Sequence, residues 1–158
     1  MKRKRVGILI FPDVEVLDFC GPYEVFSVTR LDEARRREEP SPFEVFLVAE
    51  SVAPVVATGG LRVIPDVTTE TCPLLDILVV PGGWGTRKQI ANPRALTWIA
   101  ERAKEVETLT SVCTGSLLLG AAGLLRGYRA TTHWTAIDFL PRFGAIAVQL
   151  AKFVLRLI

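Results

Sequence analysis

Short runs of apolar residues recur along the chain, separated by longer stretches in which apolar and polar positions are mixed. Runs of about four to eight residues rich in β-branched side chains are typical of strands buried on both faces of a parallel sheet. We therefore predict core strands at Val6–Phe11, Phe43–Ala49, Asp76–Val80 and Glu107–Val112. The pair Gly59-Gly60, which lies between two short β-branched runs, predicts a small hairpin.

The mixed stretches carry helix signals. The first helix is predicted to begin at Gly21-Pro22, because proline suits the first turn of a helix. Further helices are predicted from Pro93, capped by Asn92, to about Glu105, at Ser116–Ala122, ended by Gly123, and at Thr135–Leu140, stopped by Pro141. Strands that alternate with helices in this way indicate an α/β domain with a mostly parallel sheet.

Composition narrows the class of protein. The chain has 158 residues, 49% hydrophobic and 23% charged, which predicts one domain over residues 1–158 with a sizeable core. The net charge of +2 does not favour nucleic-acid binding, and the basic cluster Lys2–Arg5 is interpreted as a solvated end. No apolar stretch is long enough to span a membrane, and no signal peptide is visible.

Cysteine and histidine usage points to a reducing compartment. Three widely spaced cysteines do not form a disulfide framework, so we predict a cytoplasmic location. With one histidine and no closely spaced cysteine pair, no metal site is predicted.

Cys113 lies where a predicted strand meets a predicted helix. A side chain at such a corner points outward from a sharp turn, in the geometry of a nucleophile elbow. The N–H groups and dipole of the following helix are expected to favour the thiolate, the reactive form of cysteine. The alternative is a buried cysteine that acts as a small apolar residue.

Three loops are predicted to meet at the carboxyl ends of the strands, where parallel sheets bind ligands. Asp18, after the first strand, is a candidate acid or base, or else a helix cap, and Glu24 is a second candidate, or else a solvated carboxylate. Gly82 and Gly83 offer backbone N–H groups for developing negative charge, or form only a tight turn. Thr114 offers an N–H and a hydroxyl, or only a helix cap.

The remaining candidates are aromatic. His133 could pair with the cysteine or be a packed structural residue. Trp84, Trp134 and Phe19 could line an apolar pocket or belong to the core. The run Gly82–Gly85 matches neither a P-loop nor a dinucleotide fingerprint, so no nucleotide is predicted.

Two long blocks resemble the ThiJ/PfpI superfamily: Phe11–Phe26, and Ser111–Ser116 continuing through Leu118–Trp134. Val79–Gly83 is similar to its glycine loop, and the likeness covers roughly residues 5 to 146. The resemblance implies a three-layer α/β sandwich, flavodoxin/Rossmann-like, as in class I glutamine amidotransferases. Within the superfamily the pattern is most similar to the isonitrile hydratases.

The resemblance also implies a chemistry. Asp18, Cys113 and Thr114 fall on the catalytic positions, with Gly82, Gly83 and Trp84 around the substrate. Cys113 would add to the isonitrile carbon and form a thioimidate, and hydrolysis would release an N-substituted formamide. A small-molecule substrate, no cofactor, no metal and a homodimer with the site close to the interface are implied.

Two alternatives and two departures accompany the resemblance. Similar blocks occur in sensor domains of AraC-type transcription regulators, and in that case nucleic acid would be a partner of the larger protein. The other alternative to a hydratase is a thiol-based stress protein. Relatives usually continue with a further strand and closing helix, so the C-terminus from Phe143 to Ile158 is expected to be shortened. Cys20 is expected beside Asp18, where it would crowd the pocket or act as a second thiol.

Overall fold

Five parallel strands form the centre of the fold in the computed structural model, which describes residues 2–149. The strands are β1 Lys4–Leu9, β2 Phe43–Ala49, β3 Val55–Val56, β4 Arg62–Val63, β5 Val67–Thr68, β6 Ile77–Val80, β7 Thr108–Ser111, β8 Arg129–Ala130 and β9 Ile146–Ala147. The central sheet has the order β5-β2-β1-β6-β7, all parallel. Val6 and Ile8 of β1 and Leu78 of β6 have no exposed surface, as predicted for strands covered on both faces.

The helices cover both faces of this sheet. They are α1 Val16–Val28, α2 Thr86–Gln89, α3 Pro93–Arg102 and α4 Gly115–Ala121, with 3₁₀ segments at Glu33–Arg35, Thr58–Gly60 and Trp134–Phe143. The chain moves from β1 to β2 in one direction and from β6 to β7 in the other. Because such crossovers are right-handed, α1 and α3 lie on opposite faces, which gives three layers.

The start of α1 was predicted wrongly. The helix begins at Val16, so Asp18 lies in its first turn rather than in a preceding loop, and Pro22 lies inside the helix. Proline has no N–H to donate to the carbonyl four residues earlier, which is that of Asp18. Gly21, with no Cβ to meet the proline ring, lets the helix continue through the pair.

Other predicted boundaries differ less. The hairpin is confirmed as the antiparallel pair of β3 and β4, β2 has its predicted bounds, and β1 lies two residues earlier than predicted. Asn92 caps α3 by accepting from the N–H of Arg94, as predicted. Helix α2 and the strand pairs β2–β5 and β8–β9 were not predicted.

The segment after β8 does not stop at Pro141. A 3₁₀ segment runs from Trp134 to Phe143, and Gly144, with a φ of 74°, ends it by donating its N–H to the carbonyls of Leu140 and Pro141. A left-handed glycine is the commoner stop signal. Residues 150–158, on which part of the prediction of a shortened C-terminus falls, lie outside the described residues. Over residues 2–149, no helix is long and apolar enough to cross a membrane.

Candidate active site at the strand-to-helix elbow

The loops that follow β1, β6 and β7 meet at the carboxyl edge of the sheet, as predicted. Gly82 connects them: its N–H donates to Asp18 Oδ2 over 3.1 Å, and its carbonyl accepts from the N–H of Glu15 over 3.0 Å. A Cβ on Gly82 would lie 2.5 Å from the Thr114 nitrogen and 3.0 Å from Asp18 Oδ2. The site therefore lies between β1 and β6, the point from which successive strands are added to the sheet in opposite directions. This is the usual ligand site of such sheets.

Cys113 has the conformation predicted for an elbow. Its φ is +53°, in the left-handed region that a non-glycine residue occupies only under local strain. The side chain is half-buried rather than enclosed in the core. Helix α4 begins two residues later, and a Cβ on Gly115 would overlap the carbonyl oxygen of Val80. Gly115 therefore lets the start of α4 lie directly against the end of β6.

The predicted effect of the helix start on Cys113 is present in the N–H of Thr114, but the environment as a whole raises the pKa of the thiol. Burial is the largest effect and raises the pKa of the thiol, and the carboxylate of Asp18 raises it further. The backbone N–H and the hydroxyl of Thr114 act in the opposite direction and lower this pKa, but they do not outweigh the other effects.

Asp18 also retains its proton more strongly than an ordinary aspartate. Burial raises the pKa of its carboxyl, and the hydrogen bonds from Gly82 and from the Cys113 thiol oppose that shift. Between the two pKa values the pair therefore holds one proton, with the thiol donating to the carboxylate. Asp18 is thus placed to accept the thiol proton when the sulfur reacts, and its interpretation as a helix cap is wrong.

The hydroxyl of Thr114 holds the glycine loop. Its Oγ1 accepts from the N–H of Gly83 over 3.1 Å and from the hydroxyl of Thr86 over 3.2 Å. The one proton of the Thr86 hydroxyl is shared between Thr114 Oγ1 and the carbonyl of Gly83, which is the nearer acceptor at 2.8 Å, and Thr86 has only 2% of its surface exposed. Thr86 was not predicted as a site residue, because its position directly after the glycine loop is the only sign of this role in the sequence.

The N–H groups of Gly82 and Gly83 already have partners within the protein, Asp18 and Thr114. The geometry therefore supports a positioning role for the two glycines rather than the predicted contact with developing negative charge. Gly83 also needs to be glycine because its φ is +119°. The N–H that faces the Cys113 sulfur is that of Thr114.

Two further candidates lie on α1 but face away from Asp18. At about 100° per residue, Cys20 is turned by about 200° from Asp18 and Glu24 by about 240°. Cys20 packs partly against the core, and Glu24 is exposed. The expectation that Cys20 shares the pocket is therefore wrong, and Glu24 has the position of a solvated carboxylate.

His133 does not form a hydrogen-bonded pair with Cys113. It is exposed, and its Nδ1 lies 2.8 Å from Thr135 Oγ1 and caps the 3₁₀ segment that follows. It is close enough to Asp18 to lower the pKa of that carboxyl, as the smallest of the effects on it. A structural role with a weak electrostatic influence on the site fits this position.

The predicted aromatic pocket is not formed by the three aromatic residues named for it. Phe19 is a core residue with 2% of its surface exposed. Trp84 and Trp134 are 67% and 78% exposed, and the guanidinium of Arg87 stacks 3.5 Å from the centroid of the Trp84 ring. Trp84 therefore lies on the surface beside the glycine loop.

A second residue missed from sequence contacts the elbow directly. The hydroxyl of Thr132 donates to the carbonyl oxygen of Cys113 over 3.0 Å. Within residues 2–149, no group of three or more His, Cys, Asp or Glu side chains is placed to hold a metal ion.

The chain matches known proteins over most of its length. Residues 4–152 match the model of the DJ-1/PfpI family. The chain is 43% identical over 145 residues to an isonitrile hydratase of Pseudomonas putida, a match that covers 92% of this chain and 59% of the hydratase. It is 36% identical over 100 residues to the HTH-type transcriptional regulator GbdR of Pseudomonas aeruginosa, which covers 63% of this chain and 27% of the regulator.

A solved structure agrees with these matches. The crystal structure of a ThiJ/PfpI family protein from Pseudomonas syringae superposes with a TM-score of 0.82 at 37% identity, over 94% of this chain and 58% of that one. The chain thus spans less than two thirds of the hydratase and of this structural neighbour. The predicted class I glutamine amidotransferase-like fold is confirmed. Because the family model, the related hydratase and the solved structure each match over most of this chain, the chain belongs to the DJ-1/PfpI family.

Proposed function

We propose that this protein adds water to an isonitrile, R–N≡C, and releases an N-substituted formamide, with Cys113 as the nucleophile and Asp18 as the proton carrier. The observation that carries the proposal is the pairing of a left-handed, half-buried Cys113 with a carboxyl group whose pKa is raised. The 43% identity to an isonitrile hydratase supports the choice of substrate class.

The first step consumes the proton that the pair shares. The sulfur of Cys113 bonds to the terminal carbon of the isonitrile, while Asp18 accepts the thiol proton and delivers it to the same carbon. The product is a thioimidate, Cys113–S–CH=N–R, which contains every atom of the isonitrile. Because Asp18 starts as a carboxylate and ends as one, the net charge of the half-buried site is the same before and after this step.

The second step uses one water molecule. Asp18 removes a proton from the water as the water oxygen bonds to the thioimidate carbon, and it passes that proton to the nitrogen. The C–S bond then breaks to give R–NH–CHO, and the proton of the newly formed hydroxyl group returns to the sulfur through Asp18. The N–H of Thr114, which faces the sulfur, stabilises the thiolate as it leaves. Both steps are redox-neutral.

The test is formamide production by the purified chain. A water-soluble alkyl isonitrile is incubated with the protein, and the N-alkyl formamide is measured by mass spectrometry against Cys113→Ala. We expect formamide to form with the wild-type chain and to fall to the uncatalysed level with Cys113→Ala. Cys20→Ala, which removes a thiol that faces away from the site, should keep the wild-type rate. Equal formamide from the wild type and Cys113→Ala would refute the proposal.

The partial likeness to a transcription regulator supports a second candidate, a sensor domain that binds a small molecule without converting it. The same assay separates the two. A sensor would gain thermal stability with the isonitrile or a related ligand and yield no formamide above the Cys113→Ala level. The homodimer and the cytoplasmic location stay predictions.

A further inference from the structure

Cys113 and Thr114 share one peptide group, and its two ends face different parts of the protein. The carbonyl oxygen of Cys113 accepts from the hydroxyl of Thr132 over 3.0 Å, and more weakly from the hydroxyl of Ser116 over 3.4 Å. The N–H of Thr114 faces the Cys113 sulfur. Because a peptide group is planar, a bond that holds its oxygen also sets the direction of its N–H.

We propose that Thr132 is a positioning residue for the nucleophile, because its hydroxyl fixes the Cys113–Thr114 peptide so that the N–H of Thr114 stays directed at the sulfur. The bond has two effects. It adds to the backbone bond from the N–H of Gly115 to the carbonyl of Val112 in holding the left-handed conformation of Cys113, whose φ is +53°. It also polarises the peptide, which makes the N–H a stronger donor to a negatively charged sulfur.

Thr132 is held in place by the strand pair before it and by the 3₁₀ segment after it. It follows β8, whose parallel pairing with β9 joins Arg129 to Ile146 and Ala130 to Ala147. The 3₁₀ segment that begins at Trp134 packs against α4, the helix of the elbow. Thr132 thus connects the strained elbow to a part of the chain that is distant in sequence and held by its own ladder.

Thr132 does not touch the reacting atoms, so its effect is expected on the thiol and on the leaving thiolate rather than on substrate binding. Without the hydroxyl, the N–H of Thr114 stabilises the thiolate less, and the pKa of Cys113 rises further. The inference rests on the proposed function only in taking Cys113 as the reacting group.

The experiment measures the alkylation rate of Cys113 by iodoacetamide from pH 6 to 10, followed at each cysteine by peptide mass spectrometry. Thr132→Val keeps the shape of the side chain and removes its hydroxyl. We expect its pH midpoint to move upward, with alkylation of Cys113 about three- to tenfold slower below the midpoint. Thr132→Ser should restore the wild-type profile.

Thr135→Val is the matched control, because that hydroxyl lies three residues along and contacts His133 instead of the elbow. It should leave the profile of Cys113 unchanged. Loosening of the fold would move the midpoint downward, since burial is what raises the pKa of Cys113. An unchanged or lower midpoint in Thr132→Val, or an equal upward shift in Thr135→Val, would overturn the proposal. No isonitrile enters the experiment, so its outcome is independent of hydratase activity.

Discussion

Replacing Asp18 with asparagine is expected to slow isonitrile hydration by about 10²- to 10⁴-fold, the usual contribution of a positioned acid or base. The same change is expected to make Cys113 easier to alkylate at pH 7. The carboxylate raises the pKa of the thiol, and asparagine removes that charge while its amide oxygen can still accept from the N–H of Gly82. Formamide yield and the rate of iodoacetamide alkylation measure the two effects separately.

The stability of Asp18→Asn provides an internal check. The pKa of Asp18 is raised in the folded chain, so the folded state holds its proton to higher pH than the unfolded state does. Ionisation of Asp18 therefore costs stability as the pH rises through that pKa, and no such cost exists below the unfolded value of about 3.9. Asp18→Asn should melt higher than the wild type at pH 8 and close to it at pH 4. A faster hydratase, or slower alkylation at pH 7, would contradict the role given to Asp18.

Replacing Gly115 with alanine is expected to lower the free energy of unfolding by about 3 kcal/mol, at the upper end of the usual range for overpacking. The added methyl group would overlap the carbonyl oxygen of Val80 and lie 2.8 Å from that of Pro81, and these are backbone atoms that cannot rotate away. The gain in helix propensity of about 1 kcal/mol does not offset this overlap. Thermal unfolding should show a melting temperature lower by about 6–12 °C.

Gly123→Ala is the comparison for Gly115→Ala. Gly123 has a φ of +80°, and no heavy atom lies within 4 Å of the position of a Cβ there. The change adds only backbone strain, about 1–2 kcal/mol. A Gly115→Ala chain as stable as the wild type, or more stable than Gly123→Ala, would show that α4 does not lie against β6 as described.

The order of elements and the meeting of three loops could be predicted because both follow from chain order and strand burial. The prediction placed Asp18 beside the elbow correctly although it put the start of α1 five residues too late. The Gly21-Pro22 pair was a misleading signal, since proline at the start of a helix and proline after a glycine inside one look alike in sequence.

The contacts of the site were harder to predict. The hydroxyl bonds of Thr86 to Thr114 and of Thr132 to Cys113 join residues 28 and 19 positions apart. Neither residue stands out by type, because threonine is common in turns and at helix starts. Such pairs become visible only once the sheet has brought their loops together.

The net effect of the site on the pKa of the Cys113 thiol could not be predicted for a related reason. The local pattern includes the helix that follows the cysteine but not the burial of the sulfur or the carboxylate that reaches it from α1. The raised pKa gives less support to a thiol-based stress protein, which would need a readily ionised sulfur. It fits a reaction in which the proton leaves the sulfur only as the new bond forms.

The measurement that tests this account most directly is the intact mass of the protein during turnover. On mixing with excess alkyl isonitrile, the wild-type chain should gain the full mass of one isonitrile, located on Cys113 by peptide mapping, and lose it as the formamide appears. Cys113→Ala should gain none. Formamide release without a mass gain on Cys113, or a stable adduct on Cys20 or Cys72 instead, would contradict the claim that Cys113 is the nucleophile.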